Sequence, residues 1–296
     1  MKKSILILSL FLLLIPLSFA QNIDMSLYVL DLGQIDLETG EFTADFYLSM
    51  YCEQACPVDT FEFMNGRAKT ITNIIDEPNE KFYRIFAELN SPIDLRAYPF
   101  DERTIQIIVE DNVNTIEDVT YNSFVKESGI EESINFPGWN IDDWSAIVDN
   151  HHYSVYDETY SRFTFNINIS RQSVGTFLKS FLPPLFVIII ILLSTIIGIK
   201  NVGIRLAVTS SALVASVVFH IAIINQLPPL GYLTFADKFM AFTYFVIMSN
   251  FVITILMMYL NQIKKFDFIE VVRKKNSQAM LILIPIITFL LFKFFV

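Results

Sequence analysis

Residues 204–226 read IRLAVTSSALVASVVFHIAIINQ, a run apolar enough to cross a bilayer that still carries small and hydroxylated residues along one side. Ala207, Ser211, Val214, Val218, Ile221 and Asn225 follow one another in steps of four, three, four, three and four, which keeps them on one face of an α-helix. The stripe passes from small and polar through apolar to polar again. Two readings stand. Small residues let membrane helices pack closely, and Ala207, Ser210, Ser211, Ala212, Ala215 and Ser216 would serve that purpose. Alternatively, copies of this helix surround an axis. Ser211 would then hydrate ions, while Val214, Val218 and Ile221 would form constrictions that close by dewetting.

Working outward, the chain begins MKKSILILSLFLLLIPLSFA, with a basic start, an apolar run and the small residues Ser18 and Ala20, so residues 1–20 are expected to be a cleaved secretory signal. Apolar segments at about 178–199, 239–260 and 279–296 bring the spans after the signal to four. Lys200 and Arg205 flank the first short loop, and Lys264, Lys265, Arg273, Lys274 and Lys275 crowd the third, which assigns both to the cytoplasm. The second loop, QLPPLGYLTFADK, holds only Asp237 and Lys238 and is expected outside. The expectation is a multi-pass protein of the cell membrane with both mature termini extracytoplasmic, periplasmic where the source has an outer membrane. Residues 21–172 would form the exterior domain and 173–296 the membrane domain.

Charge divides the same way. Residues 21–170 hold 28 Asp plus Glu against 8 Lys plus Arg, whereas 171–296 hold 3 against 11. An acidic exterior concentrates cations through its summed field, although solubility alone accounts for such a balance. That exterior reads as β structure. In RFTFNINISR, Phe163, Phe165, Ile167 and Ile169 alternate with polar residues, and FTADFYLSMY and RTIQIIVED repeat the pattern. Turn signals at Glu77-Pro78-Asn79, Ser91-Pro92 and Pro137-Gly138 separate the runs, and many short strands in about 150 residues favour a β-sandwich of immunoglobulin-like kind.

The two cysteines, Cys52 and Cys56, fall on the oxidising side, where a small local disulfide is expected; two free thiols are the alternative. No His or further Cys lies near enough to complete a metal site, and no cofactor is expected. The chain has no HExxH, no GxSxG and no phosphate-cradling glycine loop, and its nine glycines leave little room for one, so an enzyme is not expected.

Several motifs now fall in order: SPIDLRAYPFDERTI at 91–105, ISRQ at 169–172, LPPLF at 182–186 and QLPPLGYLTFADKFM at 226–240. Together they resemble the pentameric ligand-gated ion channels, over nearly the whole mature chain. The resemblance implies a homopentamer in which each subunit carries an extracellular β-sandwich and a four-helix transmembrane bundle, with the second helix lining a pore for monovalent ions. The short third loop, about 261–278, is similar to that of prokaryotic members. There are departures. Ser91 and Ile105 stand where many members have a disulfide pair, and the strand that usually ends in Trp ends here in Tyr51.

The resemblance also implies a coupling set. Arg171 would meet Asp101 and an acidic residue of the first exterior hairpin, Asp36 or Glu38, beside Tyr98, Pro99 and Phe100, with Pro228 and Tyr232 opposite. Such a pair is costly to bury unless well hydrogen-bonded, so its role would be to fix geometry; an ordinary surface ion pair is the alternative. Agonist recognition would lie between subunits on loops near Phe61–Asn65, Asp111–Asn122 and His151–Tyr160, with Phe61, Phe63, Tyr121, Tyr153, Tyr156 and Tyr160 as candidates. Tyrosines offer cation–π faces to an amine, and are equally ordinary hairpin residues. Protons compete as agonist, given the exterior carboxylates with His151 and His152. His220 lies off the pore stripe and is expected to pack between helices.

Selectivity stays open: Arg205 at the helix start would favour anions if it faced the lumen, or would snorkel to the interface. Expected partners are further copies of the chain, membrane lipid, a small-molecule or proton agonist and permeant inorganic ions, with no nucleic acid. A nonconducting sensor of the same architecture is the rival reading.

Overall fold

The computed structural model describes residues 20–57 and 60–263, with isolated positions between 271 and 282. Apart from Ala20 and Ile282, the expected signal and the expected fourth span lie outside the described residues. The strands are β1 (Gln21–Leu32), β2 (Glu41–Cys52), β3 (Phe61–Phe63), β4 (Gly66–Glu77), β5 (Glu80–Asn90), β6 (Glu102–Asp111), β7 (Val119–Ser123), β8 (Gly129–Ile130), β9 (Trp139–Tyr153) and β10 (Glu158–Arg171). Three long helices follow: α1 (Ser173–Ser194), α2 (Val202–Ile224) and α3 (Phe235–Gln262).

Alternating side chains have the consequence the pleat demands. Phe163, Phe165, Ile167 and Ile169 of β10 are all buried, as are Phe42, Ala44, Phe46 and Leu48 of β2. One sheet runs β4-β5-β2-β1-β7, with β8 also beside β1; the other runs β3-β6-β10-β9. Their inner faces close on one apolar core that takes in Leu27, Phe46, Ile85, Ile107 and Phe165. The architecture is thus an N-terminal β-sandwich followed by helices. The β1–β7 pairing is parallel, with Ile23 opposite Tyr121, and no local alternation announces a partner so distant along the chain.

Cys52 and Cys56 are joined in a disulfide at the end of β2, their Cα atoms 5.4 Å apart. So short a loop constrains the unfolded chain modestly. Cys52→Ala with Cys56→Ala should therefore remove about 2 kcal/mol of stability, read as a fall of about 5 °C in the melting midpoint of the full chain. An unchanged midpoint would show that the bond stabilises nothing.

The chain divides into two compact units. One comprises the sheets, up to Ile93 and from Arg103 to Ile169; the other comprises Asp94–Glu102 together with the chain from Ser170 onward. The segment 94–102, which joins β5 to β6, thus belongs with the helices.

All three helices are long and apolar enough to cross a membrane. α1 starts at Ser173, ahead of the apolar run read from the sequence, because its first two turns, which include Ser173, Gly175, Thr176 and Lys179, are helical without being continuously apolar. Its interior Pro183 and Pro184 are tolerated where neighbouring groups re-satisfy the backbone. α3 is started by a capping box: the Asp237 backbone N–H donates to Thr234 Oγ1 at 3.2 Å, and the Thr234 N–H donates to Asp237 Oδ2 at 2.8 Å.

Candidate functional site

The inward face of α2 holds Arg205, Thr209, Ala212, Ser216 and Ile223, all buried against α1 and α3. Counting about 100° per residue, Ala207, Ser211, Val214, Val218, Ile221 and Asn225 lie on the opposite side. All six are exposed in the single subunit, Val214 at 66%. At its Ser211 end the stripe borders an apolar groove of about 510 Å³ shared with Val187 and Ile190 of α1. An apolar face of this kind is left for lipid or for another protein surface to cover.

Arg205 takes neither disposition weighed from the sequence. It is fully buried at 0% exposure, and its Nε donates to Asn250 Oδ1 of α3 at 3.1 Å, with a second guanidinium N–H bonding the same oxygen. Asn250 in turn donates to Ser194 Oγ of α1 at 2.9 Å. The guanidinium therefore ties three helices together, which a fork of rigid donors suits better than an ammonium would.

The second constellation sits within the helical unit. Arg171 Nε and a terminal nitrogen donate to the two Asp101 oxygens at 2.7 and 3.0 Å, a bidentate fork, and the Arg171 N–H donates to the Asp101 carbonyl at 3.1 Å. The side chains are 11% and 1% exposed, so this is no surface pair. The guanidinium also lies 5.1 Å from the Tyr98 ring centre, and the Tyr98 hydroxyl donates to Gln226 Oε1 at 3.3 Å. Burial raises the Tyr98 hydroxyl above its ordinary pKa, with the Arg171 charge opposing. Tyr98 precedes Pro99 through a cis peptide bond. Phe100 rests 6.0 Å from the Phe177 ring and 5.4 Å from the Phe235 ring.

From the α2–α3 loop, the Tyr232 hydroxyl accepts from the Leu95 N–H at 2.9 Å while Arg96 stacks 5.2 Å over its ring; the Phe235 N–H bonds the Arg96 carbonyl at 2.8 Å. Pro228 is half-buried in that loop. Asp36 is exposed in the β1–β2 turn, where the Glu38 N–H donates to it at 2.7 Å and holds its carboxyl below the usual range.

The ligand candidates separate. Tyr153, Tyr156 and Tyr160 line one cavity of about 210 Å³ together with Glu62, Glu110 and Glu158. Tyr153 and Tyr160 meet edge to face at 5.7 Å, and Tyr156 is largely exposed. Glu110 is 2% exposed; it accepts from the Tyr153 hydroxyl at 2.9 Å and from Arg162 Nε, with His151 Nδ1 3.3 Å away. Burial, then this carboxylate, raises the Tyr153 pKa. The Tyr160 hydroxyl donates to Glu158 at 2.8 Å, which raises it likewise. Phe61 instead borders a second cavity, with Ile71, Asn73 and Tyr83. Phe63 and Tyr121 are core residues. Pairing of β7 with β1 turns Tyr121 inward, and burial pushes its hydroxyl strongly up. The acidic side chains of the tyrosine cavity are absent from the aromatic candidates read from the sequence, although Asp111 and Glu158 fall within the loops read there; Glu110, at the end of β6, lies one residue outside them.

No protein-family model matches the chain. Over 184 residues it is 26% identical to a proton-gated ion channel of Gloeobacter violaceus, a match that covers 61% of this chain and 50% of that relative. The chain therefore aligns with about half the length of the curated relative it matches. That relative is an ion channel and not an enzyme. The match bears out the likeness to the pentameric ligand-gated ion channels that the ordered motifs carry.

Proposed function

We propose that the chain is one subunit of a homopentameric agonist-gated channel of the cell membrane, in which α2 lines a pore for monovalent ions. The observation that carries this reading is the joint exposure of the six stripe residues on the side of α2 turned away from its own subunit, in a chain similar to an ion channel. A ring of copies would cover the flanks of that face and leave its centre to water, with Val214 and Val218 as constrictions. Residues 1–20 would be removed, residues 21–172 would lie outside the membrane, and the segment beyond 278 would supply a fourth helix ending outside.

Agonist would enter the tyrosine cavity, whose carboxylates and rings suit a cation, and the Asp101–Arg171 cluster would pass its binding to α2. Protons are the competing agonist, since the relative is a proton-gated channel. Recording from the purified full chain in planar bilayers, across pH and a panel of primary and quaternary amines, tests the reading. Current that follows pH or amine supports the channel. No current above background, from protein shown to be folded and pentameric, would favour a nonconducting sensor.

For any amine that opens the channel, Tyr156→Ala should raise the half-maximal concentration about threefold, the loss of one cation–π face on an exposed ring. Equal potency in the variant would remove the cavity from agonist binding.

A further inference from the structure

Three side chains between α2 and α3 carry chemistry that neither the pore stripe nor the coupling cluster uses. His220 lies on α2, one residue before stripe residue Ile221 and turned toward α3, where its Nδ1 is 3.0 Å from the Tyr244 hydroxyl. Its Nε2 is buried without a hydrogen bond and lies 3.6 Å from Asp237 Oδ1. The other Asp237 oxygen, Oδ2, already accepts from the Thr234 N–H and hydroxyl, both at 2.8 Å, in the cap of α3. The Tyr244 hydroxyl in turn lies 3.5 Å from the Ser216 carbonyl of α2.

A neutral imidazole has one donor and one acceptor nitrogen. If Nδ1 carries the proton, it donates to Tyr244, whose hydroxyl is then aimed at Ser216, but the bare Nε2 faces a carboxylate. If Nε2 carries the proton, Asp237 is satisfied, but Tyr244 must donate to Nδ1 and leaves Ser216. Only the imidazolium donates from both nitrogens and completes all three links, Asp237, Tyr244 and Ser216, at once. We propose that His220, Asp237 and Tyr244 form a proton-binding site that draws the outer half of α2 onto the start of α3 when His220 is protonated.

Among the described residues, the titratable groups facing His220 are Asp237 and Tyr244, both from α3. α1 contributes a single charged residue, Lys179, which is exposed, and α2 itself carries only Arg205, about four turns away. A shift of α2 toward α3 would move Val218 and Ile221 in the proposed pore. That consequence rests on the channel reading; the proton site itself does not.

The chain has three histidines, so ¹⁵N-histidine NMR of the full chain in nanodiscs resolves the site, and His220→Gln identifies its signal. Asp237→Asn keeps an acceptor for the α3 cap but removes the charge. It should lower the pH midpoint of the His220 signal by about one unit or more, and Tyr244→Phe should lower it less. A midpoint unmoved by Asp237→Asn overturns the site, whatever the currents do. If the midpoint moves and the current–pH curve moves with it, the site operates the pore. If the midpoint moves while wild-type current ignores pH, the proton site stands and the proton-agonist reading falls.

Discussion

Arg171→Ala should abolish agonist-evoked current, or raise the half-maximal agonist concentration a hundredfold or more, in channels that still reach the surface. The reason is burial. Asp101 is almost wholly out of solvent, and the fork from Arg171 supplies two charge-assisted hydrogen bonds to its carboxylate. Removing one member of such a pair leaves a charge in a low-dielectric site and costs about 3–5 kcal/mol. Part of that loss will fall on assembly, so surface biotinylation must accompany the recordings. Arg171→Lys sharpens the test, because it keeps the charge but loses the bidentate geometry and the stacking over Tyr98. It should therefore fold and assemble yet still gate poorly. A normal dose response in both variants would remove the coupling assignment.

Val214→Ser should produce a channel that conducts without agonist. Val214 sits at the middle of the exposed stripe, where a ring of valine methyls would exclude water and a ring of hydroxyls would admit it. The exchange changes hydration by about 1 kcal/mol per copy. Five copies acting together would raise the unliganded open-to-closed ratio by about three and a half powers of ten. Standing current before agonist, in bilayers of defined salt, is the measurement. Reversal potentials from the same membranes give the sign of the permeant ion. Unchanged gating in a conducting channel would mean that another face of α2 meets the water.

The Arg205 position bears on that selectivity measurement. Its charge is turned away from the stripe and into the helix bundle, bonded to Asn250. Neither lumen-facing anion attraction nor snorkelling describes it, and the stripe itself carries no formal charge. Selectivity would then be set by fields reaching the pore from behind its wall and from the acidic β unit.

Much was legible in the sequence, because periodicity is local. Steps of three and four placed Ala207 to Asn225 on one face of α2, and strict alternation placed Phe163 to Ile169 on the buried face of β10; both follow from backbone geometry that a short window contains. The nearness of Cys52 to Cys56 and the charge division needed no three-dimensional information either. What the chain's order alone could not decide was which distant faces meet. Arg171 and Asp101 lie seventy residues apart and form a buried fork, while Tyr121 and Tyr153, equally plausible as aromatic candidates, part company between core and cavity. Segment 94–102 joined the helices although strands flank it, and His220 found Asp237 across a helix boundary. These outcomes depend on strand register and helix rotation, which are set by the packing of whole elements and by the cost of burying a polar group without a partner.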